Sequence, residues 1–210
     1  MVSGEPIRDR RSERRQATID EILETAWGLA RAEGLAGLSL RELAAAVGMR
    51  PQSLYSYFES KNAIYDAMFA QGCRQFAEGQ TRWNLTGDAR SDLRTIARYF
   101  VDFCTADPVR YQLMFQRTIP GFEPSADSFA ISVEGLAAVA AHLAALGIDH
   151  PRDIDLFTAI GTGLTDQQIS NDPCGDRWAR LTDDAIEMYL DYVTRRSRSK
   201  QPTQKKGRAR

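Results

Sequence analysis

The side chains best placed to do chemistry lie close together, within SLRELAAAVGMRPQSLYSYFESK at residues 39–61. Gln52, Ser53, Tyr55, Ser56 and Tyr57 supply amide, hydroxyl and phenol groups with no carboxylate among them, and Arg41 and Arg50 stand nearby. Such groups meet base edges and phosphate oxygens in the major groove of duplex DNA. Lys61 follows Ser60 at a helix start, where the helix dipole is already positive. A cation there is mildly unfavourable unless an anion joins it, and a phosphate held by the lysine and free backbone N–H groups would be that anion. Machinery for catalysis is sparse by comparison. His142 and His150 are the two histidines, and no Ser-His-Asp set, metal-ligand spacing or glycine-rich phosphate loop is found. No enzyme activity, cofactor or metal site is expected.

Two short helices must hold those groups in place. Ser39 and Glu42 have the spacing of a capping box, which fixes the start of the first at about 40–47. At 100° per residue, Leu40, Leu43, Ala44 and Val47 share its buried face, and Ala44 leaves room for a closely crossing partner. Gly48 supplies the turn by tolerating a positive φ. Pro51 opens the second helix, expected over about 51–58. There Leu54 and Phe58 face inward, so Gln52 and Ser56 point away, with Ser53 and Tyr57 on one flank and Tyr55 on the other.

Helical periodicity continues on both sides, and alternating strand patterns are absent. A helix at about 14–33 carries Ile19, Ile22, Leu23, Ala26, Leu29 and Ala30 on one stripe and ends at Gly34. Further helices are expected at about 61–80, 89–105, 107–117, 126–146, 151–170 and 177–195. The fold class is therefore all-α: a three-helix helix-turn-helix head, with the motif at 39–58, joined to a larger bundle, about nine helices in all. The expected divisions are a basic arm at 1–13, the head at 14–60, a ligand-binding and dimerisation domain at 61–195, and a disordered basic tail at 196–210.

The pattern Leu38-Ser39, Arg41, Leu43-Ala44, Val47-Gly48, Leu54-Tyr55, Tyr57-Phe58 and Lys61 resembles the N-terminal domain of the tetracycline-repressor (TetR) family, over roughly residues 15–65. The resemblance implies base contacts from Arg41, Gln52 and Pro51, and phosphate contacts from Ser39, Ser53, Tyr55, Tyr57 and Lys61. It also implies a homodimeric transcription regulator, a repressor released from a palindromic DNA operator by a small, largely apolar effector. Pro51-Gln52 and Ser56 depart from the residues common at those places in the family, so the operator sequence does not follow.

The larger domain offers residues for both remaining roles. Trp83, Tyr99, Phe100, Phe103, Tyr111, Met114, Phe115 and Phe129 could line an apolar ligand pocket or simply fill a core. Phe157, Ile160, Gly161 and Leu164 share one helix face, and Leu181, Ala185, Met188, Tyr189 and Tyr192 share another. The two faces form the expected dimer interface. An effector-independent DNA-binding regulator is the alternative, and an enzyme using the pocket a remote one.

Charge narrows how DNA could be met. The 210 residues sum to −1, but residues 8–15 hold five arginines and residues 195–210 hold eight basic residues and no acid. The stretch between them, 16–194, carries 14 basic and 25 acidic residues. A body this acidic repels DNA, so binding must be local. Cys73, Cys104 and Cys174 match no zinc or disulfide template; two are expected as buried hydrophobes, and Cys174, beside Pro173 and Gly175 in an expected loop, could be an exposed redox-sensing thiol as a minor alternative. No apolar run approaching about 20 residues is evident, which points away from a membrane and to the cytoplasm.

Overall fold

The computed structural model describes residues 10–200, with side chains to Arg196. Among these, nine α-helices and one short 3-10 turn account for the regular structure, with no strand: α1 (Arg10–Glu33), α2 (Leu40–Ala46), α3 (Pro51–Leu54), α4 (Lys61–Gln80), α5 (Ala89–Ala106), α6 (Pro108–Phe115), α7 (Ala126–Ala145), α8 (Pro151–Asn171), the 3-10 turn Ala179–Leu181, and α9 (Thr182–Lys200). The all-α fold is as the sequence implies.

Packing divides the chain into two compact units that are not sequential. The first comprises residues up to Gln75 together with Val109–Val133; the second comprises Phe76–Pro108 and the residues from Glu134 onward. The division expected after residue 60 does not coincide with any of the three boundaries, because α4 up to Gln75 shares the core of α1–α3.

In the first unit, Ile22, Leu23, Ala26 and Ala30 of α1 meet Leu43 and Ala44 of α2, Leu54 of α3 and Ile64 and Met68 of α4 in one continuous core. Trp27 also turns into it, with its indole N–H donating to Gln71 Oε1 at 2.7 Å. Asp66 of α4 ties down the start of α7: its carboxylate accepts from Ser125 N at 2.6 Å, Ser125 Oγ at 3.0 Å and Ser128 Oγ at 2.8 Å.

The second unit is built on α5, α8 and α9, with Leu93, Ile96, Leu143, Phe157, Ile186 and Tyr189 at its centre. Arg94 and Arg98 of α5 pair with Glu187 and Asp183 of α9, Arg98 Nε lying 2.7 Å from Asp183 Oδ1. Asp92 is fully buried, yet it accepts from Thr86 N (2.7 Å), Gly87 N (2.9 Å) and Thr86 Oγ1 (3.0 Å), and lies 3.0 Å from His142 Nε2. Burial pushes its pKa up, but these hydrogen bonds outweigh it and hold the carboxyl below its usual value.

Several boundaries differ from expectation. α1 begins at Arg10, so residues 10–13 of the expected arm are helical, and the arm's first nine residues lie outside the described part. α9 runs to Lys200, so the tail expected to be disordered from 196 is helical for its first turn; the rest lies outside the described residues. α9 also starts late, because Gln168 captures the preceding loop. Its amide donates to the carbonyls of Asp172 and Gly175, and its oxygen accepts from Trp178 N (2.9 Å) and Ala179 N (3.0 Å).

The expectation that no apolar run nears membrane length is corrected by α7. Its 20 residues have a mean hydropathy of 1.5 and few charges, long and apolar enough by length and composition to cross a bilayer. The small residues of its alanine-rich stretch had masked the length of the run. Most of α7 is uncovered: Phe129 is 55% exposed, Val133 49% and Leu136 51%.

Candidate nucleic-acid interface

The helix-turn-helix is set by local chemistry. Ser39 caps α2, its Oγ accepting from Glu42 N at 3.4 Å. Gly48 takes a φ of +69°, which other residues adopt only with strain, and Met49 N donates back to Ala44 O at 2.8 Å. Pro51 then occupies the first position of α3, where its missing N–H costs nothing.

Regular α-helix stops at Leu54, four residues earlier than expected. The chain continues as tight turns, with Ser56 N bonded to Ser53 O and Tyr57 N to Leu54 O, and the Ser56 hydroxyl donates to Ser53 O at 2.7 Å. A serine hydroxyl that binds the backbone three residues back competes with continued α-helix. The facing survives this shortening. Leu54 and Phe58 are 2% and 8% exposed, whereas Pro51, Gln52, Ser53, Tyr55 and Ser56 are exposed on the opposite side. Arg41 and Arg50 are exposed beside them, while Ser39, Tyr57 and Lys61 are half-buried. All ten candidate residues thus lie on or at the margin of one motif, and Glu59 is the acid next along the chain.

Two cations behave in ways the sequence did not reveal. Lys61 does not wait for an anion: its Nζ donates to Ala36 O at 3.1 Å and lies 5.4 Å from the Tyr65 ring centre. A backbone carbonyl and a π face therefore already offset the unfavourable dipole position. Arg15, on the second turn of α1, donates to Ser56 O at 3.0 Å and places its guanidinium 4.9 Å from the Tyr57 ring centre. The basic start of α1 is thus joined to the exposed ridge through this arginine. Sequence placed Arg15 among basic residues but gave no means to find its partner 41 positions away.

The candidate pocket residues separate into two groups. In the second unit, Tyr99, Phe100 and Phe103 each pack on Phe76, and Tyr99 also meets Phe103 and Trp83. The Tyr99 hydroxyl donates to Phe76 O at 2.7 Å. In the first unit, Tyr111 is buried against Phe115, while Met114, Phe115 and Phe129 line a cavity of about 170 Å³. The eight residues therefore do not line one pocket: Trp83, Tyr99, Phe100 and Phe103 belong to the second unit, and Tyr111, Met114, Phe115 and Phe129 to the first.

The candidate dimer face is also rearranged. Phe157 and Tyr189 are buried core partners with ring centres 5.6 Å apart, and Gly161 faces Phe100, which a Cβ would approach to 3.2 Å. These three serve the subunit's own packing, because α9 turns its Ile186–Tyr189–Val193 side inward. Leu181 and Met188 remain exposed, Met188 at 73%, with Ile160, Leu164, Ala185 and Tyr192 half-buried. Of the cysteines, Cys73 and Cys104 are buried and Cys174 exposed; burial pushes the Cys73 thiol up to about 11.

Comparison with known proteins places this geometry. Residues 22–68 match the bacterial regulatory proteins of the tetR family, a span that runs from the buried face of α1 to Met68 of α4. The HTH-type transcriptional repressor DrrR1 of Streptomyces coeruleorubidus is 31% identical over 143 residues, 68% of this chain and 48% of that protein. The chain spans less than half the length of the curated relatives it matches. Among solved structures, the TetR family transcriptional regulator PfmR from Thermus thermophilus matches with a TM-score of 0.61 at 20% identity, covering 81% of this chain and 97% of that one. FadR from Bacillus subtilis, solved in complex with stearoyl-CoA, matches at 0.59 and 15%, covering 81% and 97%. At these identities the structural matches establish the fold. The N-terminal helix-turn-helix of this chain, within residues 22–68, is similar to that of the tetR family of bacterial regulatory proteins.

Proposed function

We propose that this chain is a transcription regulator that binds duplex DNA as a homodimer through the ridge of α3 and its following turn, and that a small ligand controls the binding. One observation carries the DNA reading. Gln52, Ser53, Tyr55 and Ser56 form an acid-free exposed surface on a segment whose other side is locked by buried Leu54 and Phe58. In an otherwise acidic body, such a surface serves a polyanion better than it serves packing. Gln52 reads bases, Arg41 and Arg50 reach guanine or phosphate, and Ser39, Ser53, Tyr55, Tyr57 and Lys61 fix the backbone.

Pairing of two subunits uses the uncovered side of α8, α9 and the 3-10 turn before α9, with Leu181 and Met188 exposed on it. Two-fold symmetry then requires a palindromic operator with half-sites about one helical turn, or a multiple, apart. A repressing role is supported by the relative DrrR1, described as a repressor. Selection of bound sequences from a random duplex pool tests the reading: a palindrome is expected, and Gln52→Ala changes its bases. Failure of the purified chain to retain any duplex at low salt overturns it.

A further inference from the structure

A helix at a protein surface ordinarily has one apolar side, and α7 has two. Its inner side is buried at Ser128, Val139 and Leu143. On the outer side Ala126, Ala130, Val133, Ala137, Ala140 and Ala144 follow one another at intervals of four, three, four, three and four residues. Ala140 is half-buried and the other five are exposed. At 100° per residue, exposed Phe129 and Leu136 flank this row on one side and Glu134 on the other. The outer side of α9 is interrupted by exposed Asp184 and Asp191, but the row on α7 contains no charge.

The spacing defines the occupant. Alternation of three and four residues is what lets one helix lie along another, and alanine lets the two backbones come close. A lipid surface fits less well, because α7 has no lysine or arginine to meet head groups. A second copy of the same row fits. With two α7 helices antiparallel, Ala126 falls opposite Ala144, Ala130 opposite Ala140 and Val133 opposite Ala137. Every position of the row then meets another position of the row, as a two-fold contact requires. Leu136 neighbours its own counterpart across the axis, and the helix dipoles oppose one another favourably. We propose that α7 docks along α7 of a second copy, as a self-association surface separate from that on α8 and α9.

Area sets the strength of this contact. From Ala126 to Ala144 the row is about 27 Å long, and a strip one helix wide along it covers roughly 270 Å². A stable complex buries about 800 Å² on each partner. Glu134 is also brought near Glu134 of the second copy, and like charges at that separation repel. The α7 contact is therefore weak, and it links dimers already formed elsewhere rather than making them. Two dimers on neighbouring sites of one duplex are held at high effective concentration, where a weak contact suffices to couple them. This last step rests on the DNA-binding and pairing reading above; the α7 contact itself does not.

The test is sedimentation velocity of the full chain over rising concentration, with Tm as the check on folding. Wild type is expected to pass from dimer to twice that mass. Ala137→Glu puts a charge in the middle of the row at an exposed position, so it stops at the dimer with Tm unchanged. Glu134→Gln removes the repulsion and lowers the concentration needed about twofold. On a duplex carrying two selected sites, wild type fills them cooperatively and Ala137→Glu fills them independently, with the same affinity for a single site. Identical masses for wild type, Ala137→Glu and Glu134→Gln at every concentration overturn the inference and leave the DNA reading standing. Monomers from Ala137→Glu alone and from Met188→Glu alone make α7 part of the α8 and α9 contact, which also overturns it. Monomers from Ala137→Glu with Met188→Glu unaffected support α7 pairing and defeat the α8 and α9 reading. Binding to phosphatidylglycerol vesicles that Ala137→Glu abolishes, with no difference in mass, assigns the face to lipid and overturns the inference. Doubling of mass, lost in Ala137→Glu, in a chain that retains no duplex supports the α7 contact and defeats the DNA reading instead.

Discussion

Arg15 shows how much a single side chain can organise. It bonds the Ser56 carbonyl and covers the Tyr57 ring, so it braces the end of the exposed ridge from a different helix. Its removal costs a charge-assisted hydrogen bond and a cation–π contact at a partly exposed site, about 1–1.5 kcal/mol together. Arg15→Ala should therefore weaken duplex binding roughly tenfold for every sequence without altering base preference, as measured by titration against matched and mismatched duplexes. A different residue links the fold to pH. Because the hydrogen bonds on Asp92 lower its folded pKa, its contribution is present above the unfolded value near 3.9 and is lost as pH falls through the folded one. Denaturant unfolding across pH should show that loss below about pH 4, and Asp92→Asn should flatten it. Neither role was legible in sequence: Arg15 read as one basic residue among five, and Asp92 as one acid among many. The facing of Gln52, Leu54 and Phe58 was legible, since helical spacing alone orients them.

At the scale of elements, caps and prolines defined several starts, and side chain–backbone hydrogen bonds moved other boundaries. Pro51, Pro108 and Pro151 each open the helix expected of them. By contrast, the Ser56–Ser53 bond ends α3 early, and Gln168 delays α9 by collecting four backbone groups from 172–179. Buried amides that satisfy a loop in this way are worth about 1–3 kcal/mol when lost. Gln168→Ala should lower unfolding free energy by that amount, read by chemical denaturation. Trp27 falls on the stripe of α1 by its four-residue offset from Leu23, and its burial is consistent with that period. Aromatic spacing was less informative: seven rings and Met114 lie close in sequence, yet they divide between the two units.

At the scale of the whole molecule, the proposed pairing of subunits is what a substitution can test. Helix periodicity identified apolar faces on α8 and α9, but it could not decide which face turns inward. Tyr189 and Phe157 went to the core, and Met188 stayed outside. Met188→Glu places a charge in the proposed interface without touching that core. Sedimentation velocity should then show monomers where wild type sediments as dimers, with Tm of the monomer near that expected for a surface change. Loss of operator affinity should accompany it, because each half-site alone contributes far less than the pair.

The uncovered side of α7 carries a practical consequence. Phe129, Val133 and Leu136 present a greasy ridge to water, and monomeric soluble proteins seldom leave such a patch bare. Kosmotropic salts strengthen apolar association. Concentrated ammonium sulfate should therefore bring this protein out of solution early, and surface-active dyes or mild detergent should coat the helix and keep it dispersed.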